Sequence, residues 1–188
     1  SLTICVAKKI SKDNQIGTIF LKKAEIYYKK KQYNQAIEYS KNAVNEFKNT
    51  NNKFDLSECY VLLAKANKKL LKKDLALAYT DKAVAINYEL DNNSKIIESQ
   101  ILKSYLLLDT KPNLAKNLAK ESLQLLKPET SNQTKAGLYK LLYECYKGAN
   151  QPRKALSMFE KYTVFSDSFQ LEKNKILIIK ETIKSEYE

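Results

Sequence analysis

The sequence predicts an all-α protein of the α-α superhelix class, a right-handed solenoid of antiparallel helix pairs. The first observation behind this is a period in the small residues. Ala36, Ala76, Ala115 and Ala155 are separated by 40, 39 and 40 residues, and Ala43, Ala83, Ser122 and Tyr162 follow them seven positions later. A fixed period in this range marks a helical solenoid, in which each unit buries its apolar face only against its neighbours. Small side chains at helix crossings let the axes approach to about 8–10 Å, and an ordinary bundle has no reason to repeat them at a constant interval. The second observation is composition. Three Gly and three Pro in 188 residues leave little material for the turns of a sheet, and no stretch alternates apolar and polar residues at period two.

Taken in order, residues 1–15 carry Leu2, Val6 and Ile10 four apart and a polar ending, Lys12-Asp13-Asn14. They read as the second helix of a preceding pair, and the missing initiator Met suggests a chain that begins inside a longer protein. Residues 16–165 hold four helix pairs. The first spans about Ile16 to Lys30 and Tyr33 to Phe47, with a very short turn between. A polar loop from Asn49 to Lys53 leads to a helix starting near Leu56, and the second pair continues to about Leu90. Asp91-Asn92-Asn93-Ser94 caps the third pair. Pro112 and Pro152 fall at the same slot in pairs three and four, in the first turn of the second helix, where a missing N–H costs nothing. Pro128, after Leu126, closes pair three. Residues 166–188 form a capping or coiled-coil helix. Phe169, Ile176 and Ile183 are spaced by seven, and Glu172, Ile179 and Glu186 fill the companion slots. Ile176, Ile179 and Ile183 are the dimerisation candidates, for a weak homodimer. Phe169 and Leu171 are expected to fold against Phe159 and Tyr162, covering the open solenoid end.

The stretch Tyr27 to Ala43 resembles a tetratricopeptide repeat, and the likeness covers roughly residues 17–165. The family pattern places a bulky residue, Leu, a small residue, an aromatic, then Ala, an aromatic and Ala along a helix pair of about 34 residues. Those slots hold Phe20, Lys23, Ala24, Tyr27, Ala36, Ser40 and Ala43 in the first unit, and Tyr60, Leu63, Ala64, Asn67, Ala76, Thr80 and Ala83 in the second. The third has Ser99, Leu102, Lys103, Leu106, Ala115, Ala119 and Ser122, and the fourth Tyr139, Leu142, Tyr143, Tyr146, Ala155, Phe159 and Tyr162. Lys23, Lys103 and Tyr143 depart from the pattern.

The resemblance implies a ligand groove lined by the first helix of each unit. Its candidate residues are Leu21, Glu25 and Tyr28, then Val61, Lys65 and Lys68, then Ser104 and Leu107, and last Lys140, Glu144 and Lys147. Tyr28, Val61 and Leu107 would act as apolar anchors and the lysines as charge partners of a protein or peptide segment. Chaperone-binding relatives clamp a carboxylate with Lys and Asn at slots that here hold Leu21 and Glu25, which disfavours that activity. Ala155 to Glu188 resembles the junction after the repeats of bacterial membrane-linked sensors, where a long helix leads to a histidine kinase or helix-turn-helix output module. The function this implies is the sensor or regulatory region of a bacterial signal-transduction protein, periplasmic or cytoplasmic. The alternative is a free-standing scaffold that assembles a protein complex.

The chemistry points away from catalysis. The chain has no His, which removes the commonest general base and metal ligand. Cys5, Cys59 and Cys145 form no CxxC spacing, so they read as buried thiols and not as a zinc site or disulfide framework. No Gly-rich phosphate loop or GxSxG elbow is present. We therefore expect no enzyme activity, no cofactor and no metal. The net charge of +12 comes from 32 Lys and a single Arg, Arg153, against 21 acidic residues. Phosphate and base recognition favour the planar fork of Arg, so a solvated Lys surface without specific nucleic-acid binding is expected. No run of apolar residues is long enough for a membrane span.

Overall fold

The computed structural model describes the backbone of residues 2–187 and the side chains of residues 14–183. It contains α1 (Leu2–Lys29), α2 (Tyr33–Asn49), α3 (Lys53–Lys69), α4 (Lys73–Glu89), α5 (Asn93–Leu107), α6 (Pro112–Gln124), α7 (Asn132–Gly148) and α8 (Pro152–Tyr187). There is no strand among the described residues. The helices fall into two compact units, Ser1–Leu106 and Leu107–Glu188.

The period has a simple origin in the first unit. Helices α2, α3 and α4 are each 17 residues long, and each is followed by a three-residue turn. A helix and its turn therefore take 20 residues, and a pair takes 40. The turns share one backbone solution. Lys31, Asn51, Leu71 and Asp91, spaced by 20, all have positive φ, as does Asn150 between α7 and α8. At each, the N–H of the positive-φ residue and the N–H after it reach back to the last helical turn. Lys31 donates to the Tyr28 carbonyl at 3.0 Å and Gln32 to Tyr27 at 2.9 Å, and Leu71 and Lys72 repeat this with Lys68 and Asn67. This is the Schellman arrangement, which satisfies carbonyls that a helix end leaves without partners. Asn and Asp tolerate the left-handed region, whereas Lys31 and Leu71 occupy it against their preference.

Helix starts use the chemistry visible in the sequence. Asn52 Oδ1 accepts from the Asp55 N–H, and Asn92 Oδ1 from the Lys95 N–H, both at 3.2 Å. Pro112 and Pro152 are the first residues of α6 and α8. The periodic small residues sit where helices cross: Ala36, Ala43, Ala76, Ala83, Ala115 and Ser122 are wholly buried and Ala155 nearly so. In the first unit Ala43, Ala76 and Ala83 join Leu21, Phe47, Cys59, Leu63 and Leu102 in one apolar core. A Cβ on Gly17 would lie 2.7 Å from the buried Phe47 ring, so the approach of α1 to α2 requires glycine there. Cys59 and Cys145 are buried free thiols. Cys5, Leu2, Val6 and Ile10 lie outside the described side chains.

A polar cluster crosses the core between α3, α4 and α5. Asn87, 1% exposed, accepts from Ser57 Oγ at 2.6 Å and donates to Ser99 Oγ at 2.8 Å and to the Lys95 carbonyl at 3.2 Å. Lys95 itself bridges Glu58 on α3 at 2.9 Å and Glu98 at 3.1 Å. Burial works against its charge, but the two carboxylates outweigh this and raise its pKa.

Two helix boundaries differ from expectation. No break separates residues 1–15 from the first pair, because α1 runs unbroken from Leu2 to Lys29. Asn14, part of the polar run expected to end a helix there, lies inside α1 and accepts from Thr50 Oγ1 at 2.6 Å in the α2–α3 turn. Likewise α8 passes through residue 166 without a turn. Phe169 and Leu171 therefore continue the helix that carries Phe159 and Tyr162 and do not fold back onto them, and Leu171 is exposed.

Candidate ligand surface

The candidate groove residues separate into buried and presented groups. In the first unit Leu21, Val61 and Ser104 are buried, so Val61 is a packing residue and not the apolar anchor expected of it. Glu25 is held by Lys22 at 3.0 Å. Tyr28 is half-buried against the Tyr33 ring, 5.6 Å between centroids, and burial, then Tyr33, raises its pKa. Lys65 and Lys68 are exposed on α3, with the Lys68 ammonium 5.0 Å from the centre of the Tyr105 ring. The face thus presents Glu25, Tyr28, Lys65 and Lys68.

In the second unit Leu107 is also buried and likewise cannot serve as an open anchor. Lys140 and Lys147 are exposed and Glu144 half-buried. Glu144 lines a hollow of about 410 Å³ with Pro112, Lys116 and Cys145. Burial, then the Glu144 charge, pushes the Cys145 thiol up to about 11.

Aromatic rings and lysines join α7 to α8. Tyr139 and Phe165 stack in parallel at 5.5 Å, and Lys161 and Lys135 cap the outer faces of this pair, each 5.5 Å from its ring centre. Such contacts contribute roughly 0.5–1 kcal/mol each at exposed sites. Nearer the α7–α8 turn, Phe159 meets Tyr143 at 5.3 Å and Tyr162 at 6.0 Å, both tilted by about 50°. Lys147 lies over Tyr143 at 5.8 Å and Lys140 over Tyr162 at 5.9 Å. Beside these rings opens a second hollow of about 390 Å³, walled by Tyr143, Lys147, Pro152, Leu156 and Phe159. The volume lies in the lower part of the range of ligand pockets, roughly 300–1,000 Å³. Gln151 also lines it, and its Oε1 is buried with no hydrogen-bond partner.

Of the residues expected from sequence, only Lys147 reaches this hollow. Tyr143, Leu156 and Phe159 were not among the groove candidates. For Tyr143 and Phe159 a signal was nonetheless present, since with Tyr162 they stand at slots that hold Ala24, Ser40 and Ala43 in the first pair. Among the described residues no three His, Cys, Asp or Glu side chains converge to hold a metal ion, and no helix is long and apolar enough to cross a membrane.

No family model and no curated protein matches the sequence. Solved structures do match its fold. The chain is similar to BtubC (BKLC) from P. vanneervenii, with 16% identity and a TM-score of 0.73 over 84% of this chain and 66% of that one. It is similar to the apo form of RapI, with 16% identity and a TM-score of 0.76 over 86% of this chain and 59% of that one. A Rap protein complexed with Competence and Sporulation Factor matches at 17% identity and a TM-score of 0.71, over 86% of this chain and 44% of that one. The fold is that of a helical repeat. All-α architecture built from adjacent helix pairs, the class expected from the sequence, is thereby shown. The chain spans between 44% and 66% of the lengths of these proteins.

Proposed function

We propose that this chain is a non-catalytic, protein- or peptide-binding helical-repeat domain of the tetratricopeptide type. Its place would be the sensor or regulatory region of a bacterial signal-transduction protein. The observation that carries the reading is the α7–α8 surface, an apolar hollow of about 390 Å³ bordered by an exposed lysine and offering no His or carboxylate pair for chemistry. Such a hollow suits an anchoring side chain of a protein partner. A Rap protein, similar in fold, has been captured with Competence and Sporulation Factor, which supports a binding role without identifying a ligand here.

In this reading residues 16–165 are four repeats, residues 1–15 lead into them, and residues 166–188 are the output side. Leu177 and Ile178 are exposed beside Ile176, Ile179 and Ile183 in the second half of α8, which supports weak self-association there. The reading frame of the whole gene tests the regulatory assignment. A membrane span with a kinase or DNA-binding module following Glu188 is expected. A frame that ends near Glu188 with neither would overturn it and leave the scaffold alternative.

A further inference from the structure

The last helix pair presents a face that the first pair keeps covered. In the first unit Ala24, Ser40 and Ala43 are all fully buried, and α3 packs on α2 and α1. The equivalent slots on α7 and α8 hold Tyr143, Phe159 and Tyr162, with Phe159 41% exposed. Three aromatic rings in place of two alanines and a serine hold any further helix axis beyond the about 8–10 Å of close packing. The face is built to receive side chains.

The chemistry of the face selects the occupant. Its hollow is apolar on the Leu156, Pro152 and Phe159 side. Lys140 and Lys147 are seven residues apart on α7, about 10 Å along the axis, and so bracket the row of rings. Lys154 adds a third ammonium over Tyr146, at 5.8 Å. Gln151 Oε1, buried without a donor, is an acceptor that an incoming N–H would satisfy. From this we infer that the α7–α8 elbow binds an acidic peptide segment, whose apolar side chain enters the hollow while neighbouring carboxylates meet Lys147 on the wall of the hollow and Lys140 about one helical turn before Tyr143. In an extended peptide, residues three apart span about 10 Å, which matches the spacing of the two lysines.

A single-stranded nucleic acid fits less well. Base stacking needs open ring faces, and here Lys147 and Lys140 already lie over Tyr143 and Tyr162. The rings also meet one another at 52° and 53° and offer no parallel platform.

The inference rests on the protein-binding reading and names its ligand class. It is tested by fluorescence polarisation with the full chain and a labelled nine-residue peptide of Asp and Glu around one central Leu. The comparison ligands are the same peptide with central Ala, a basic peptide with central Leu, and an oligothymidine. Leu156 and Lys147 are exposed, so Leu156→Glu and Lys147→Glu leave the core intact, which a circular-dichroism melt verifies. Lys173→Glu, further along α8, applies the same charge change away from the hollow. The acidic Leu peptide should bind about tenfold more weakly to Leu156→Glu and about fivefold more weakly to Lys147→Glu, and unchanged to Lys173→Glu. Equal losses in Lys147→Glu and Lys173→Glu would reduce the effect to net charge and overturn the inference. So would preference for the basic peptide, no loss in Leu156→Glu, or displacement by oligothymidine. Peptide binding insensitive to these variants would sink the elbow site but leave the protein-binding reading standing. A random peptide library that yields no binder at all would overturn both.

Discussion

Replacing Asn87 with Ala should destabilise the first unit far more than a polar-to-small change on a helix suggests. The substitution deletes the acceptor of Ser57 Oγ and the donor to Ser99 Oγ and to the Lys95 carbonyl. Each hydrogen bond contributes about 1 kcal/mol net, and a buried group left without a partner costs about 1–3 kcal/mol. Ser99 keeps its bond to the Lys95 carbonyl at 2.7 Å, so the main orphan is the buried Ser57 hydroxyl. Counting that orphan once, the expected loss is roughly 2–4 kcal/mol. Urea unfolding followed by circular dichroism measures it, with an unchanged slope confirming that the exposed surface is the same. The mechanism has a second signature. Ser57→Ala alone should cost about 1–3 kcal/mol, since it leaves the buried Asn87 Oδ1 without its donor, and the double variant should be milder than the sum, because neither orphan remains. A loss for Asn87→Ala below about 0.5 kcal/mol, or strict additivity in the double variant, would refute the reasoning.

Four other outcomes are expected. Ala76→Leu should cost about 1–3 kcal/mol by overpacking a fully buried helix crossing, and an unchanged melting temperature would contradict the role of the periodic alanines. Leu71→Asn should stabilise by up to about 1 kcal/mol, since Leu71 is 90% exposed at φ 60° and Asn relieves the left-handed strain; a lowered denaturation midpoint would count against it. Cys145 has a pKa raised from 9.0 to about 11, so the unfolded thiol loses its proton first and stability should fall as pH rises through that interval. Cys145→Ser should flatten this part of the pH–stability curve, and an unchanged slope would remove the thiol as its cause. Finally, wild type should sediment with weak, concentration-dependent self-association that the triple variant Ile176→Lys, Ile179→Lys, Ile183→Lys abolishes; identical monomers at high concentration would dismiss the seam.

What the sequence revealed was whatever one residue type can do alone at a backbone position. Buried alanines, the prolines opening α6 and α8, and the Asn92 cap each reflect a local steric or hydrogen-bonding requirement, so spacing exposes them. Lys31 and Leu71 in left-handed turns were invisible, because the repeat geometry overrides the preferences of Lys and Leu. The groove was only partly legible for a related reason. Helical spacing gives the direction of Val61 and Leu107 around an axis, but not which neighbouring side chains cover them. Tyr143 was visible as a departure from the pattern, whereas the hollow beside it needed Leu156 and Phe159 brought across from α8. The continuity of α8 through residue 166 was hidden by the polar run Ser166-Asp167-Ser168, which can end a helix but does not require it to end.

A chain whose turns recur every 20 residues has an alignment problem while it folds, since a helix could dock one repeat out of step and still find the same alanines. The Asn87 cluster works against such slippage. Forty residues earlier the equivalent position is Phe47, and the positions equivalent to Ser57 and Ser99 are Ile97 and Cys59. If α5 settled on α2 in place of α4, Ser99 would face the Phe47 ring and lose the Asn87 amide. Asn87 and Ser57 would then lack a correct neighbour, and a buried polar mismatch costs more than a missed apolar contact. An apolar residue at position 87 would make the two docking faces alike, so this single amide acts as an address that distinguishes one repeat from the next during assembly.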